Sequence, residues 1–220
     1  MKQLVREFVR TCSKMLPIPE PIYEFGSRQV PGQEGFADLR LFFPGKKYVG
    51  ADIIPGPGVD VVLDLHSLDL APQSVGTAIC VETLEHTEKP WKVFEQLEKV
   101  LMPGGTLIIS VPFWARIHNY PNDYWRFTPA CLENFLEKFP KSFVASAGQE
   151  TKPHSIVAVA YRADYVLPQR FFDEIKAWQL RWQHTDHTPR PFIQKLKRKL
   201  ARSMKKRLTI LLPFRSCKKY

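Results

Sequence analysis

Residues 77–112 read TAICVETLEHTEKPWKVFEQLEKVLMPGGTLIISVP and carry the signals of a strand, a helix and a second strand. The apolar run 78–81 stops at Glu82, as a buried parallel strand does at its carboxyl end. Pro90 suits the first turn of a helix, and the Pro-Gly-Gly sequence at 103–105 is expected to end it. The face predicted to be buried comprises Trp91, Phe94, Leu97, Glu98 and Leu101. Residues 106–111 form the second strand, so the stretch predicts a βαβ unit in a parallel sheet.

Length and composition indicate one globular domain with an appendage, since the chain has 220 residues, 44% of them hydrophobic and 25% charged. No run of about eighteen apolar residues occurs, so no membrane-spanning helix is expected. Residues 1–16 predict an amphipathic helix rather than a signal peptide, with one apolar face. That face comprises Leu4, Val5, Phe8, Val9, Cys12 and Met15. The four scattered cysteines predict reduced thiols in a cytoplasmic protein, with no metal site.

The positive charge lies at the C-terminus. Residues 190–220 hold twelve Lys or Arg and no Asp or Glu, which leaves 20 basic and 22 acidic residues elsewhere. Apolar residues recur along one face of a predicted helix there: Ile193, Leu196, Leu200, Met204, Leu208 and Leu211. Three partners fit this pattern. They are, in order of preference, an anionic membrane surface contacted by residues 190–214, the protein itself or a partner, and a nucleic acid.

Strands are also predicted on either side of the βαβ unit. Residues 21–25, 47–53 and 61–65 precede it, and a short helix is expected over 35–43. Thr128 is expected to cap a helix that begins at Pro129. Residues 142–147 and 155–161 form two final strands, and a last helix carries Phe171, Ile175, Trp178 and Trp182 on one face. The linker around His184 and His187 is interpreted as solvated rather than as a metal site.

The loop at residues 113–129, FWARIHNYPNDYWRFTP, follows a strand and therefore lies over the carboxyl-end face of the sheet. Its two tryptophans (Trp114, Trp125) and two tyrosines (Tyr120, Tyr124), together with His118, Asp123 and Arg126, are typical of a lid or a substrate-binding loop. The alternative is structural: Asp123 and Arg126 form an ion pair, and Trp125 fills the core.

Three sequence features together resemble class I S-adenosylmethionine-dependent methyltransferases. They are the ETLEH segment with LMPGG and LIISVP, the loop ending in DYWRFTP, and Glu24-Phe25-Gly26 at the place of the family's first motif. The likeness covers roughly residues 22–162 and is strongest to small methyltransferase-domain proteins that act on metabolites and glycans. One departure is Arg28, which stands where a second glycine is usual.

The resemblance implies a fold, and the segments on either side of it complete the predicted domain layout. The fold is a Rossmann-like, seven-stranded, mostly parallel α/β sheet with helices on both faces and the last strand antiparallel. Residues 1–20 are the covering helix, 21–163 the methyltransferase domain and 164–220 a helical extension that is basic and amphipathic from residue 190. The implied cofactor is S-adenosylmethionine, with S-adenosylhomocysteine as product.

The resemblance also implies which residues hold the cofactor: Glu24, Gly26, Ser27, Asp52, Ile53, Asp64, Leu65 and Cys80. Asp52 is expected to accept the ribose hydroxyl hydrogens, because it ends a strand at roughly the offset known for such residues, ~20 positions after the glycine turn. Asp64 is expected to receive the adenine amino group. Asp52 as a loop cap and Gly26 as an ordinary loop glycine are the alternatives.

His118 is the leading candidate for the catalytic proton acceptor, followed by His86 and Glu82. His86 as a structural residue and Glu82 as a loop cap remain open. Asp123, Tyr124, Arg126 and Trp114 are the predicted substrate-binding residues.

The function expected on this basis is methyl transfer to a small-molecule or sugar hydroxyl, including a lipid-linked or surface glycan, by a cytoplasmic enzyme peripheral to the inner face of a membrane. A nucleic-acid methyltransferase that uses the basic tail and a non-catalytic binding module are the alternatives. A nicotinamide-dependent enzyme fits less well, because the glycine-rich dinucleotide fingerprint is missing.

Overall fold

The computed structural model describes residues 1–118 and 120–184. The linker from residue 185 and the basic segment 190–220 lie outside these residues, and so does the predicted amphipathic helix. Seven strands form one sheet in the order β3-β2-β1-β4-β5-β7-β6. The strands are β1 (Ile22–Phe25), β2 (Tyr48–Asp52), β3 (Val61–Val62), β4 (Val75–Val81), β5 (Leu101–Pro112), β6 (Lys141–Gln149) and β7 (Lys152–Tyr161). The helices are α1 (Gln3–Met15), α2 (Pro90–Val100), α3 (Pro129–Phe135) and α4 (Gln169–Arg181).

The sheet is parallel from β3 to β5 and becomes antiparallel at β7. Strand β4 pairs parallel with both β1 and β5, while β7 pairs antiparallel with β5 and β6. All residues of β4 are buried, as expected for a central strand with both faces covered. The predicted seven-stranded fold with an antiparallel last strand is confirmed.

Each face of the sheet is covered by two helices. Helices α1 and α4 cover one face, and α2 and α3 cover the other. Trp178 Nε1 donates a hydrogen bond to the Leu4 carbonyl at 2.9 Å, and Trp182 Nε1 donates to Glu7 Oε2 at 2.9 Å. These bonds join α1 to α4, with the aromatic side chains of α4 buried against the sheet. Within the described ranges, no helix is both long and apolar enough to cross a membrane.

Helix α2 begins at Pro90 as predicted but ends at Val100, before the Pro-Gly-Gly sequence. The reason is that Leu101 is extended and pairs with Val75, so β5 begins there. The predicted buried face was partly wrong as well, because Trp91 is 45% exposed. The residues of α2 that are buried are Pro90, Val93, Phe94, Leu97 and Val100.

Two other local predictions need correction. The expected helix at 35–43 is a single 3-10 turn, Arg40–Phe42. The backbone before it is diverted, because the Asp38 side chain accepts a bond from Arg40 N at 3.0 Å and the Phe36 carbonyl accepts one from Arg6. Strand β3 stops at Val62 instead of continuing to residue 65. A second 3-10 turn, Leu84–His86, follows β4.

Candidate functional site

A cavity of about 250 Å³ opens at the carboxyl ends of β1, β2 and β4. This is where ligands bind in open α/β sheets. Ten of the predicted site residues line it: Glu24, Gly26, Ser27, Asp52, Ile53, Asp64, Leu65, Glu82, His86 and His118. The structure therefore gathers the predicted cofactor residues and the predicted proton acceptors around one space, with one exception among them, Cys80.

The turn after β1 requires glycine. Gly26 has φ +85°, and a Cβ there would lie 2.1 Å from Thr83 Oγ1. The Gly26 and Ser27 amides both donate to the Ala51 carbonyl, at 2.8 and 3.1 Å. The Thr83 hydroxyl donates a hydrogen bond to the Phe25 carbonyl at 3.1 Å. The chain can pass this closely only without a side chain, so Gly26 is more than an ordinary loop glycine.

Both predicted aspartates reach the cavity and are also engaged locally. Asp52 accepts hydrogen bonds from the Arg28 and Ile54 amides, at 3.2 and 3.0 Å, so the loop-capping interaction is present in this structure. Asp64 accepts from the His66 amide at 2.8 Å, and His66 Nδ1 lies 2.9 Å from the same oxygen. Partial burial opposes ionisation of Asp64, but the bonds from His66 hold its pKa below the usual value.

Glu24 is the most buried acid at the first turn, with 5% of its surface exposed. Tyr48 donates its hydroxyl hydrogen to Glu24 Oε2 at 2.7 Å. Burial raises the pKa of Glu24 to about 7, against the opposing effect of the Tyr48 bond. This carboxyl group therefore changes charge near neutral pH.

Cys80 does not line the cavity, which corrects its prediction as a cofactor residue. It is fully buried in the core beneath α2 and α3. Side chains alternate along β4, so Cys80 points to the opposite face from Ile79 and Val81, and only Val81 reaches the cavity. Burial raises the pKa of the Cys80 thiol well above its usual value.

Glu82 follows β4 and has a positive φ of 51°. Its amide donates to the Ser110 carbonyl at 2.9 Å, which fixes the backbone at the end of the strand. Glu82 Oε1 is buried without a hydrogen-bond partner within the described chain, and so is Ser27 Oγ across the same cavity. Buried polar atoms left without partners are rare, so these two indicate a ligand that supplies them.

His86 and His118 lie together at the mouth of the cavity, with ring centroids 4.9 Å apart. His86 Nδ1 lies 2.5 Å from the Asn122 carbonyl, and burial lowers the pKa of His86. His118 Nδ1 lies 3.1 Å from Asp123 Oδ2 and 3.1 Å from the Arg116 carbonyl.

The structural interpretation of the aromatic loop is borne out in one half only. Arg126 donates to both carboxylate oxygens of Asp123, at 2.5 and 2.7 Å. Hydrogen bonds from Arg126 hold the pKa of Asp123 well below its usual range. Trp125 does not fill the core, because it is 38% exposed and donates its indole N–H to the Thr87 carbonyl.

The predicted substrate residues line a separate groove of about 600 Å³ on the outer side of the loop. They are Trp114, Asp123, Tyr124 and Arg126. Trp114 and Tyr124 are 53% and 47% exposed, and the Lys152 ammonium lies 3.7 Å from the Trp114 ring centroid. The loop residues that do line the first cavity are His118, Tyr120 and Pro121.

Comparison with known proteins agrees with this geometry. Residues 42–109 match the family model described as a methyltransferase domain. The fold is similar to an S-adenosylmethionine-dependent methyltransferase from Archaeoglobus fulgidus, with a TM-score of 0.57 and 14% identity over 73% of this chain and 94% of that one. Residues 42–109 are thus similar to a methyltransferase domain, and the fold is the class I methyltransferase fold that the sequence predicted. No curated protein sequence matches it.

Two other solved structures show the range of proteins that share the methyltransferase fold. One is the 1,6-didemethyltoxoflavin-N1-methyltransferase of Burkholderia thailandensis, bound to its substrate and S-adenosylhomocysteine (TM-score 0.52, 16% identity, 74% of this chain and 78% of that one). The other, from Haloferax volcanii, is in complex with the Trm112 methyltransferase activator (TM-score 0.51, 15% identity, 72% and 89%). The enzyme class and the S-adenosylmethionine cofactor predicted from the sequence are confirmed.

Two residues at or next to the cavity were missed by the sequence prediction. Thr83 packs against the Gly26 turn, and the Glu85 side chain is completely buried beside His86. Burial and the nearby Glu82 raise the pKa of Glu85. Both residues belong to the ETLEH segment, so the motif pointed to them, but only the fold shows that Glu85 is turned inward.

Proposed function

We propose that this methyltransferase methylates a hydroxyl group of a small molecule or a sugar, including a sugar on a lipid-linked or surface glycan. The supporting observation is the Glu82 carboxylate at the end of β4. It lines the cavity, and its Oε1 is buried without a hydrogen-bond partner among the described residues. A hydroxyl must lose its proton as the oxygen is methylated, and a carboxylate at this place can take it.

The proposed cofactor residues surround one end of the cavity. Asp52 accepts the ribose hydroxyl hydrogens, and Asp64 accepts from the adenine amino group. The Gly26 turn allows close approach of the backbone, while Ser27 offers a free hydroxyl. Glu24, Ile53 and Leu65 complete the wall. S-adenosylmethionine, when bound, supplies an electrophilic methyl group carried on a sulfonium.

The remaining task of the chain is to position the acceptor, which can contribute about 7–11 kcal/mol to catalysis. We assign Glu82 as the proton acceptor and the His86 and His118 rings as the groups that orient the hydroxyl. Asp123 fixes the His118 ring, and Arg126 fixes Asp123. The sequence placed His118 first as proton acceptor; its partly exposed ring supports a contact with the acceptor, while Glu82 Oε1 is buried.

The exposed aromatic groove beside the site supports a cyclic acceptor. Flat apolar rings such as Trp114 and Tyr124 pack well against the face of a sugar or another ring and leave its hydroxyls free. The proposed contact of residues 190–214 with an anionic membrane rests on sequence charge, and it favours an acceptor presented at a membrane.

The test is methyl transfer from labelled S-adenosylmethionine to fractionated cell extract, followed by a mass search for products heavier by one methyl group. We expect label in a small-molecule, glycan or glycolipid fraction, with a loss of about 100-fold or more for Glu82→Gln. Label in RNA or DNA would instead favour the nucleic-acid alternative. Tight cofactor binding with no labelled fraction would favour a binding module.

A further inference from the structure

We propose that Glu85, His86 and His118 form a binding site for a divalent transition-metal ion of the zinc type. Each residue offers one ligand atom, and the three atoms lie within 4.8 Å of one another. Two of these atoms, His86 Nε2 and Glu85 Oε1, are 3.7 Å apart. Ligands of a tetrahedral zinc ion, at about 2.0–2.2 Å from the metal, lie roughly 3.4 Å from each other. Small side-chain movements would therefore close this cluster around one ion.

The carboxylate of Glu85 is the first argument for an ion. Its side chain has no exposed surface, and neither oxygen has a hydrogen-bond partner in residues 1–118 and 120–184. Isolated carboxylates are rarely buried in this way, and those that are buried usually pair with a charge or bind a metal. The backbone of the same residue is held firmly, since its carbonyl accepts from the Tyr124 amide at 2.7 Å.

The tautomers of the two histidines are the second argument. His86 Nδ1 lies against the Asn122 carbonyl, so this nitrogen carries the hydrogen and Nε2 presents a lone pair towards Glu85. A lone pair and a carboxylate 3.7 Å apart repel each other unless a proton or a metal cation lies between them. This is the arrangement expected of an imidazole that is ready to bind a metal.

The surroundings of His118 match those of metal-bound histidines in the same respect. Its Nδ1 lies 3.1 Å from both Asp123 Oδ2 and the Arg116 carbonyl, which leaves Nε2 as the free ligand atom. Histidines that bind metals nearly always donate their other N–H to a carboxylate or carbonyl, which fixes the ring and makes the ligand more basic. Asp123 is held in turn by Arg126.

Two imidazoles and one carboxylate suit zinc and related ions better than magnesium, which prefers oxygen ligands alone. Three protein ligands leave at least one coordination position open, and His86 and His118 both border the cavity. That position would take an oxygen of the acceptor, so the ion would be the means by which the two rings orient it. This role depends on the proposed function, whereas metal binding itself does not.

The experiment is calorimetric titration of the full-length, chelator-treated protein with zinc chloride in the absence of any substrate. We expect one zinc ion per chain, bound at least tenfold more weakly by Glu85→Gln and by His118→Ala. Residues 184–187 offer the other histidine pair, so His184→Ala/His187→Ala is the matched control and should bind zinc as the wild type does. Circular dichroism and S-adenosylhomocysteine binding check that each variant is folded.

X-ray absorption of the zinc-loaded protein gives an independent readout. We expect nitrogen and oxygen ligands at about 2.0–2.1 Å with the outer-shell pattern of imidazole and no sulfur. Sulfur in the first shell would show that a cysteine binds the ion and would overturn the proposal. Equal zinc affinity in wild type and Glu85→Gln, or no zinc bound by the wild type at micromolar concentration, would overturn it too. If Glu85→Gln does not fold, the His118→Ala variant decides alone, because His118 is only partly buried.

Discussion

The sharpest structural prediction concerns Gly26→Ala. An alanine Cβ at this position would lie 2.1 Å from Thr83 Oγ1 and 2.8 Å from its Cγ2, so the threonine must move. Its hydroxyl would lose the bond to the Phe25 carbonyl, which is worth about 1 kcal/mol. The positive φ of 85° costs alanine about a further 1–2 kcal/mol. We therefore expect Gly26→Ala to lower the free energy of unfolding by about 2–3 kcal/mol in urea titrations.

Two variants separate the overlap from the backbone strain. Gly35 also has a positive φ, 70°, but nothing lies within 4 Å of a Cβ built there, so Gly35→Ala should cost only the strain. In Gly26→Ala/Thr83→Ala the two shortest contacts are removed and only the 3.0 Å approach to the residue 83 Cβ is left, so the double variant should cost less than the sum of the two single changes. A Gly26→Ala variant no less stable than Gly35→Ala would refute the reasoning.

Two further predictions concern charge. The raised pKa of Glu24, about 7, means that the folded state keeps a proton that the unfolded state has lost above its own value of 4.5. The free energy of unfolding should thus fall by up to about 3 kcal/mol as pH rises from 4.5 through 7, and this part of the pH dependence should vanish in Glu24→Gln. Parallel urea titrations of the wild type and the variant across that pH range test this prediction. The same pH dependence in both proteins would contradict it. Arg126→Ala leaves the buried Asp123 carboxylate without its bidentate partner and should lower the free energy of unfolding by about 3–5 kcal/mol. Arg116→Ala in the same loop should leave the stability nearly unchanged. Equal melting temperatures for the two variants would argue against a stabilising ion pair.

The fold could be predicted from the sequence because the decisive signals are local. Residues 78–81, the helix start at Pro90 and the run 106–111 each specify an element, and their succession specifies a parallel sheet. The position of Asp52 then follows from where β2 ends, whereas Asp64 lies two residues beyond the end of β3. Cys80 was wrongly predicted to line the cavity, because neighbouring residues of a strand point to opposite faces of the sheet. A position near the end of the strand does not show which face its side chain is on.

The inner part of the site could not be predicted in the same way, because it depends on contacts between distant segments. Glu85 is buried by the loop whose Tyr124 and Trp125 amides bond to its carbonyl, 39 and 40 positions further along the chain. The outward position of Trp125 depends on its bond to the Thr87 carbonyl. Neither contact leaves a periodic signal in the sequence.

The central claim is that the cavity beside Gly26 holds the adenosine of the cofactor through Asp52 and Asp64. Calorimetric titration with S-adenosylhomocysteine tests it most directly, with Asp52→Asn and Asp64→Asn compared with Asp69→Asn. Asp64→Asn keeps an oxygen for the bond from the His66 amide, and Asp52→Asn keeps one of the two oxygens that accept local amide bonds. Asp69 is exposed and outside the cavity. We expect each of the first two variants to bind at least tenfold more weakly, as the loss of a charged hydrogen-bond acceptor predicts, and Asp69→Asn to bind normally. Wild-type affinity in both cavity variants would contradict the account.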